Sequence, residues 1–317
     1  MLRIKYPLLG LMILLGALMA LNTAAQQPRD GEGAFAPIGA GYSDTYAGWL
    51  TPLITTAPAD AEIRIVVNAA AYSYDAFVIT PEERADLTAE AQIRVDEMQA
   101  ECVALLTGTQ SCVTLLSPLF IRADALDAGA LTVYDGAVDA IFFLGGDQAI
   151  AMQILKDTPV EVRMGENHTA GAIIVGTSAG NAVQSRVMIA GYINDYGPED
   201  GLVEGSVEVW NNDLNRGLDF GLTNAVLDQH FFQRTRLARL LNVLAQPDVP
   251  SIGIGVDAYT GVFVNNRVTV EDTFGLYTAA ILDAASYNAA ANAQFVGGIL
   301  SIHDVLVHLL APGTSSY

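Results

Sequence analysis

Short apolar runs alternate along the chain with longer segments whose apolar positions recur at helical spacing. Ile63 to Val67, Val113 to Leu116, Ala140 to Leu144 and Ile173 to Gly176 read as strands buried on both faces. Between them, Pro81 to Leu106 reads as a long amphipathic helix with acidic and Ala-rich turns, and Asp124 to Val133 and Ala149 to Lys156 as shorter ones. Strands alternating with helices predict an α/β fold with a doubly wound, mostly parallel sheet that binds ligands at the carboxyl ends of its strands. Ser251 to Val256, Gly261 to Val264 and Arg267 to Val270 predict three more strands, the last two forming a hairpin around Asn265 and Asn266. No repeat, low-complexity tract or interdomain linker interrupts the pattern, so residues 34–317 read as a single domain.

The amino-terminal end departs from this pattern. Arg3 and Lys5 precede an uncharged run from Pro7 to Leu21 and the small residues Thr23, Ala24 and Ala25. A basic start, a short apolar stretch and a small-residue cleavage site predict a signal peptide over residues 1–25, hence an exported protein. The alternative, an uncleaved anchor, has a run short of the roughly 20 apolar residues that span a bilayer. Residues 26–33 are polar and Gly-containing and read as a flexible mature start.

Charge narrows the partners. With 35 acidic against 15 basic residues the net charge is −20, which argues against nucleic acid and anionic membrane surfaces and suits a cationic or zwitterionic substrate. The only two cysteines, Cys102 and Cys112, can close a disulfide in an oxidising compartment or remain buried thiols.

Three constellations carry candidate chemistry. Gly176-Thr177-Ser178-Ala179-Gly180 follows directly on Ile173-Ile174-Val175, and a buried strand running through G-x-S-x-G into a helix lifts its serine hydroxyl out at the sheet edge. Gly145-Gly146-Asp147-Gln148 follows Ile141 to Leu144 and, in a parallel sheet, lies on the same edge, where backbone N–H groups can approach a reacting carbonyl. Asp228-Gln229-His230-Phe231 precedes Arg234, Arg236 and Arg239, a basic cluster in an acidic chain. A serine nucleophile needs a base, which imidazole usually supplies, and His230 is one of four histidines, with His168, His303 and His308. On an ideal helix Arg234 and Arg236 diverge by about 200°, which predicts that the three arginines do not all line one pocket. The histidines show no metal-ligand spacing, so no metal or cofactor is expected.

These motifs, together with Gly253-Ile254-Gly255-Val256-Asp257 and the opening Pro37-Ile38-Gly39-Ala40-Gly41, occur in one order and resemble the cyanophycinases, relatives of the aspartyl dipeptidases. The resemblance runs from about Ala34 to about Val270. It implies a class I glutamine amidotransferase-like fold with a nucleophile elbow and a serine peptidase activity on cyanophycin, a polyaspartate with arginine on each side chain, releasing β-aspartyl-arginine dipeptides. By position it implies Ser178 as nucleophile and His230 as general base. It implies an oxyanion hole from Ala179 and the Gly146 to Asp147 turn, and a substrate pocket shaped by Gln148, Asp228, Gln229, Arg234, Arg236 and Arg239. It also implies a homodimer.

Two positions depart from the family. Where the family has Asp-Glu after the Gly-Ile-Gly strand, its glutamate orienting the histidine, this chain has Asp257-Ala258. Asp257 is the nearest substitute, although neighbours on a strand face opposite sides. Asn181 stands where alanine is common after the elbow. Besides a secreted cyanophycinase, the sequence therefore leaves open a peptidase for other aspartyl peptides and a non-catalytic peptide-binding homologue.

Overall fold

In a computed structural model of the chain, residues 33–265 and 269–314 are described. The expected leader over residues 1–25, most of the 26–33 segment and Asn266 of the expected hairpin lie outside the described residues.

The amino-terminal half alternates as expected: β1 (Phe35–Ile38), α1 (Ser43–Thr56), β2 (Glu62–Asn68), α2 (Pro81–Leu105), β3 (Ser111–Ser117), α3 (Arg122–Leu126), β4 (Ala140–Phe143), α4 (Gln148–Leu155), α5 (Pro159–Thr169), β5 (Ile173–Thr177) and α6 (Ala179–Ala182). The rest is strand-rich: β6 (Met188–Tyr192), β7 (Val207–Trp210), β8 (Val226–Gln229), α7 (Leu237–Leu244), β9 (Ile252–Val256), β10 (Thr260–Asn265), β11 (Thr269–Gly275), β12 (Ala279–Asp283), α8 (Ala289–Asn292), β13 (Gln294–Val296), β14 (Ile299–Ser301) and β15 (Leu306–Leu310).

Seven strands form the central sheet in the order β11-β10-β1-β5-β4-β2-β3. β1, β5, β4, β2 and β3 run parallel, and the antiparallel hairpin β10-β11 extends the β1 edge. The fold is thus mixed α/β with a large, mostly parallel sheet. Alternation along a strand explains why both faces need cover. Ile63, Ile65 and Val67 of β2 pack with Trp49 and Leu53 of α1 and Leu87, Val95 and Met98 of α2. Val66, between them, faces the other way into a core with Met152 and Ile154 of α4 and Val160 and Met164 of α5. Each such side chain, fully buried, contributes about 1.5–3 kcal/mol.

The boundaries have local causes. α2 starts where Thr80 and Glu83 cap each other, the Thr80 Oγ1 accepting the Glu83 N–H at 3.2 Å and the Glu83 carboxylate accepting the Thr80 N–H at 2.7 Å, with Pro81 in the first turn. Cys102 near its end is disulfide-bonded to Cys112 on β3. The helix expected over Asp124 to Val133 is instead two pieces, α3 and a 3₁₀ stretch from Ala128 to Tyr134. Asp127 separates them because its carboxylate accepts the Gly129 N–H at 2.6 Å and starts a new turn.

Of a second sheet, β15-β12-β9-β8, the hydrophobic pattern foreshadowed only β9. Its strands β8 and β9 are parallel. The amide of His230, just past β8, donates to the Gly39 carbonyl just past β1 at 3.1 Å, bringing the end of this sheet to the end of the central one.

Candidate active site

Because β1, β5 and β4 are adjacent and parallel, the segments leaving their carboxyl ends converge. Ser178 follows β5 with φ +54° and ψ −114°, a conformation costing a non-glycine residue about 1–3 kcal/mol. Its neighbours hold it there: its amide donates to the Ile38 carbonyl at 3.0 Å, its carbonyl accepts the Asn181 amide at 2.9 Å, and the Thr177 hydroxyl donates to the Gly41 carbonyl at 2.8 Å. Gly180 is required because a Cβ there would stand 2.4 Å from the Phe143 carbonyl oxygen. Asn181 is fully buried below the turn.

His230, carried by β8, places its Nε2 2.8 Å from the Ser178 Oγ. Burial, helped by the cations Arg234 and Arg236, pushes its pKa down to about 4 against a partial opposing pull from Asp228. The imidazole is therefore neutral near pH 7 and free to accept the serine proton. Among the described residues no carboxylate is hydrogen-bonded to it. Asp257 is buried, and its two oxygens accept the amides of Phe232 at 2.9 Å and Thr278 at 3.4 Å. Its carboxylate is committed to backbone, which is why it does not stand in for the absent glutamate. At Ala258 the amide donates to the Gln233 side-chain oxygen at 3.0 Å.

The Gly145 to Gln148 turn lies beside Ser178. Gly146 has φ +123°, and a Cβ there would collide with the Ala71 carbonyl at 1.8 Å. The amides of Gly146 and Ala179 bond to no acceptor among the described residues, whereas the Asp147 amide donates to the Ala71 carbonyl at 2.8 Å. Asp147 is thereby removed from the expected oxyanion hole. Its side chain instead caps α4, accepting the amides of Ala149 at 2.8 Å and Ile150 at 3.0 Å. Gln148 lines the cleft, but its amide donates to the carbonyls of Ala190 at 2.8 Å and Ile189 at 3.2 Å, fastening β6 to the site.

The arginines do what the helical wheel excluded: Arg234, Arg236 and Arg239 all border one cleft of about 520 Å³, with Ser178 and His230. Residues 230–236 are a series of turns rather than a helix, with φ +47° at His230 and +54° at Thr235, and α7 begins only at Leu237. The three differ in commitment. Arg239 grips Asp228 with two donors, Nε at 3.1 Å and Nη2, both residues being buried. Arg236, its pKa pushed down to about 10 by burial, donates to the Gln229 carbonyl at 2.6 Å and lies 3.5 Å from Asp228. Asp228 is thus neutralised by the chain's own arginines and does not border the cleft, contrary to its expected contact with a substrate guanidinium. Arg234 is exposed and makes no side-chain bond among the described residues. Of the three it is the one whose guanidinium is left uncommitted at the cleft.

Tyr42 and Tyr192 also line the cleft and were not singled out from the sequence. The Arg239 guanidinium lies over the Tyr192 ring, 5.2 Å from its centroid. Tyr42 follows Gly39-Ala40-Gly41, and only the pairing of β1 with β5 brings it to the serine.

Fold and site together define a mixed α/β protein with a serine–histidine pair at the carboxyl edge of a parallel sheet. Part of the chain is similar in sequence to cyanophycinases. It is 32% identical over 177 residues to the cyanophycinase of Geminocystis herdmanii, covering 55% of this chain and 60% of that protein. It is 34% identical over 177 residues to that of Thermosynechococcus vestitus, covering 55% and 51%. The chain therefore spans little more than half the length of these relatives. A solved peptidase from an acI-B1 actinobacterium shares the fold with a TM-score of 0.58, covering 92% of this chain and 98% of its own at 18% identity. No family model matches the chain.

Proposed function

We propose that the chain is an exported serine peptidase that hydrolyses cyanophycin, or a similar β-aspartyl peptide, to β-aspartyl-arginine dipeptides. The observation that carries this reading is the 2.8 Å contact between the Ser178 Oγ and the Nε2 of a neutral His230. The positive φ at Ser178, on a turn between strand and helix, is what a nucleophile elbow of a class I glutamine amidotransferase-like fold requires.

Ser178 Oγ attacks the scissile carbonyl while His230 Nε2 takes its proton. The carbonyl π pair moves to oxygen, and the amides of Gly146 and Ala179 donate to the oxyanion. On collapse the C–N bond breaks, the imidazolium returns its proton to the leaving amine, and an acyl-enzyme remains. Water, deprotonated by His230, then attacks the ester and releases Ser178. Arg234 pairs with a substrate carboxylate, and the acidic character of the chain, with a net charge of −20, suits the guanidinium groups of a zwitterionic polymer. The leader-like residues 1–25 and the Cys102–Cys112 disulfide support export to an oxidising compartment, and residues 34–317 are proposed as the hydrolytic domain, working as a homodimer.

One observation favours a second reading, a peptide-binding homologue without turnover: the lack of a carboxylate on His230 among the described residues. Losing the triad acid costs a serine protease about 10⁴ in kcat. Purified cyanophycin incubated with the mature chain and with Ser178→Ala separates the two. Dipeptide release by the wild type alone supports the peptidase; binding without release by either supports the second reading.

A further inference from the structure

Tyr42 is half-buried at the start of α1 and lines the cleft. A Cβ on Gly145 would stand 3.3 Å from the Tyr42 hydroxyl and 3.3 Å from the Ser178 Cβ, so hydroxyl and nucleophile flank the same point of the Gly145-Gly146 turn. The bonds around that hydroxyl fix where its own hydrogen can go. The Gly145 amide, which can only donate, reaches the Tyr42 oxygen at 3.1 Å. The Tyr72 hydroxyl lies 3.0 Å from it. The Arg94 guanidinium stacks on the Tyr42 ring, 4.4 Å from the centroid. The Tyr72 hydroxyl donates to that same Tyr42 oxygen. The Tyr42 oxygen therefore accepts two bonds, and its own O–H is left to point into the cleft.

We propose that Tyr42 is a further catalytic residue, its O–H donating to the oxyanion of the tetrahedral intermediate beside the Gly146 and Ala179 amides. This rests on the peptidase reading. The two donors on the Tyr42 oxygen, Gly145 and Tyr72, polarise the hydroxyl toward the cleft. Tyr42 donates without giving up its proton, because burial raises its pKa above the ordinary phenol value. A group that helps only where charge develops raises kcat and leaves ground-state binding alone.

The test compares wild type and Tyr42→Phe on cyanophycin, with the β-aspartyl-arginine dipeptide as a competitive inhibitor. The expected result is a fall in kcat of about 10²-fold with KM and the dipeptide Ki within about threefold. Tyr72→Phe, which keeps the Tyr42 hydroxyl, loses less. An unchanged kcat in Tyr42→Phe overturns the proposal, as does a parallel loss of kcat, KM and Ki, which marks Tyr42 as a prop for the turn. Failure of the peptidase reading is separately visible as a wild type that binds the dipeptide but releases none, and it overturns both.

Discussion

The Asp257 carboxylate accepts the Phe232 amide at 2.9 Å, two residues past His230, and so braces the loop that carries the imidazole without touching the imidazole itself. His230 has no bonded acid among the described residues, and its electrostatic neighbours are mostly cations.

Placing a carboxylate where the resemblance puts one has a defined outcome. Ala258→Glu should raise kcat on cyanophycin, by up to the roughly 10⁴ that a triad acid is worth. It should also raise the His230 pKa through the added negative charge. Ala258 is buried, so overpacking should lower stability by about 1–3 kcal/mol, read from denaturant midpoints.

The pH profile follows from the same electrostatics. His230 is active only when neutral, and its pKa is pushed down to about 4. The acid limb of kcat/KM should therefore fall near pH 4, well below the 6.5 of ordinary histidine. Arg234→Gln removes a cation that depresses this pKa and should shift the limb to higher pH while raising KM. A limb at 6.5 in the wild type contradicts the description of the site.

Asp228 tests the buried charge cluster. Asp228→Asn leaves Arg239 and Arg236 without their counter-charge in a buried site and should cost about 3–5 kcal/mol. Urea unfolding of wild type and variant measures it.

Reduction tests the disulfide. Cys102 and Cys112 are 10 positions apart, a loop whose closure is worth about 2–3 kcal/mol. Unfolding with and without reductant should differ by that amount, and Cys102→Ser should abolish the difference.

Much of this was legible in the sequence where local pattern and fold agree. The runs Ile63 to Val67 and Ile173 to Gly176 read as strands because they are short and rich in β-branched Ile and Val, which suits a sheet buried on both faces, and the serine turn follows directly from the second. Legibility ended where the backbone left the regular periods. Positive φ at His230 and Thr235 broke the helical wheel used for the arginines. β8 is four residues long with Asp228 inside it, which no hydrophobic pattern reveals as a strand. Tyr42 reaches the serine through the neighbouring of β1 and β5, a relation of topology rather than of spacing. Asp147 and Asp228 carried plausible chemistry by type, but a cap and an ion pair had already claimed them.

The central claim is that Ser178 is a nucleophile activated by His230. Incubation with a fluorophosphonate, followed by peptide mapping, addresses it directly. The account predicts one phosphonyl adduct, on the Ser178 Oγ, lost in Ser178→Ala and slowed at least about 10³-fold in His230→Ala. No adduct on the folded wild-type chain, or equal labelling in His230→Ala, contradicts it.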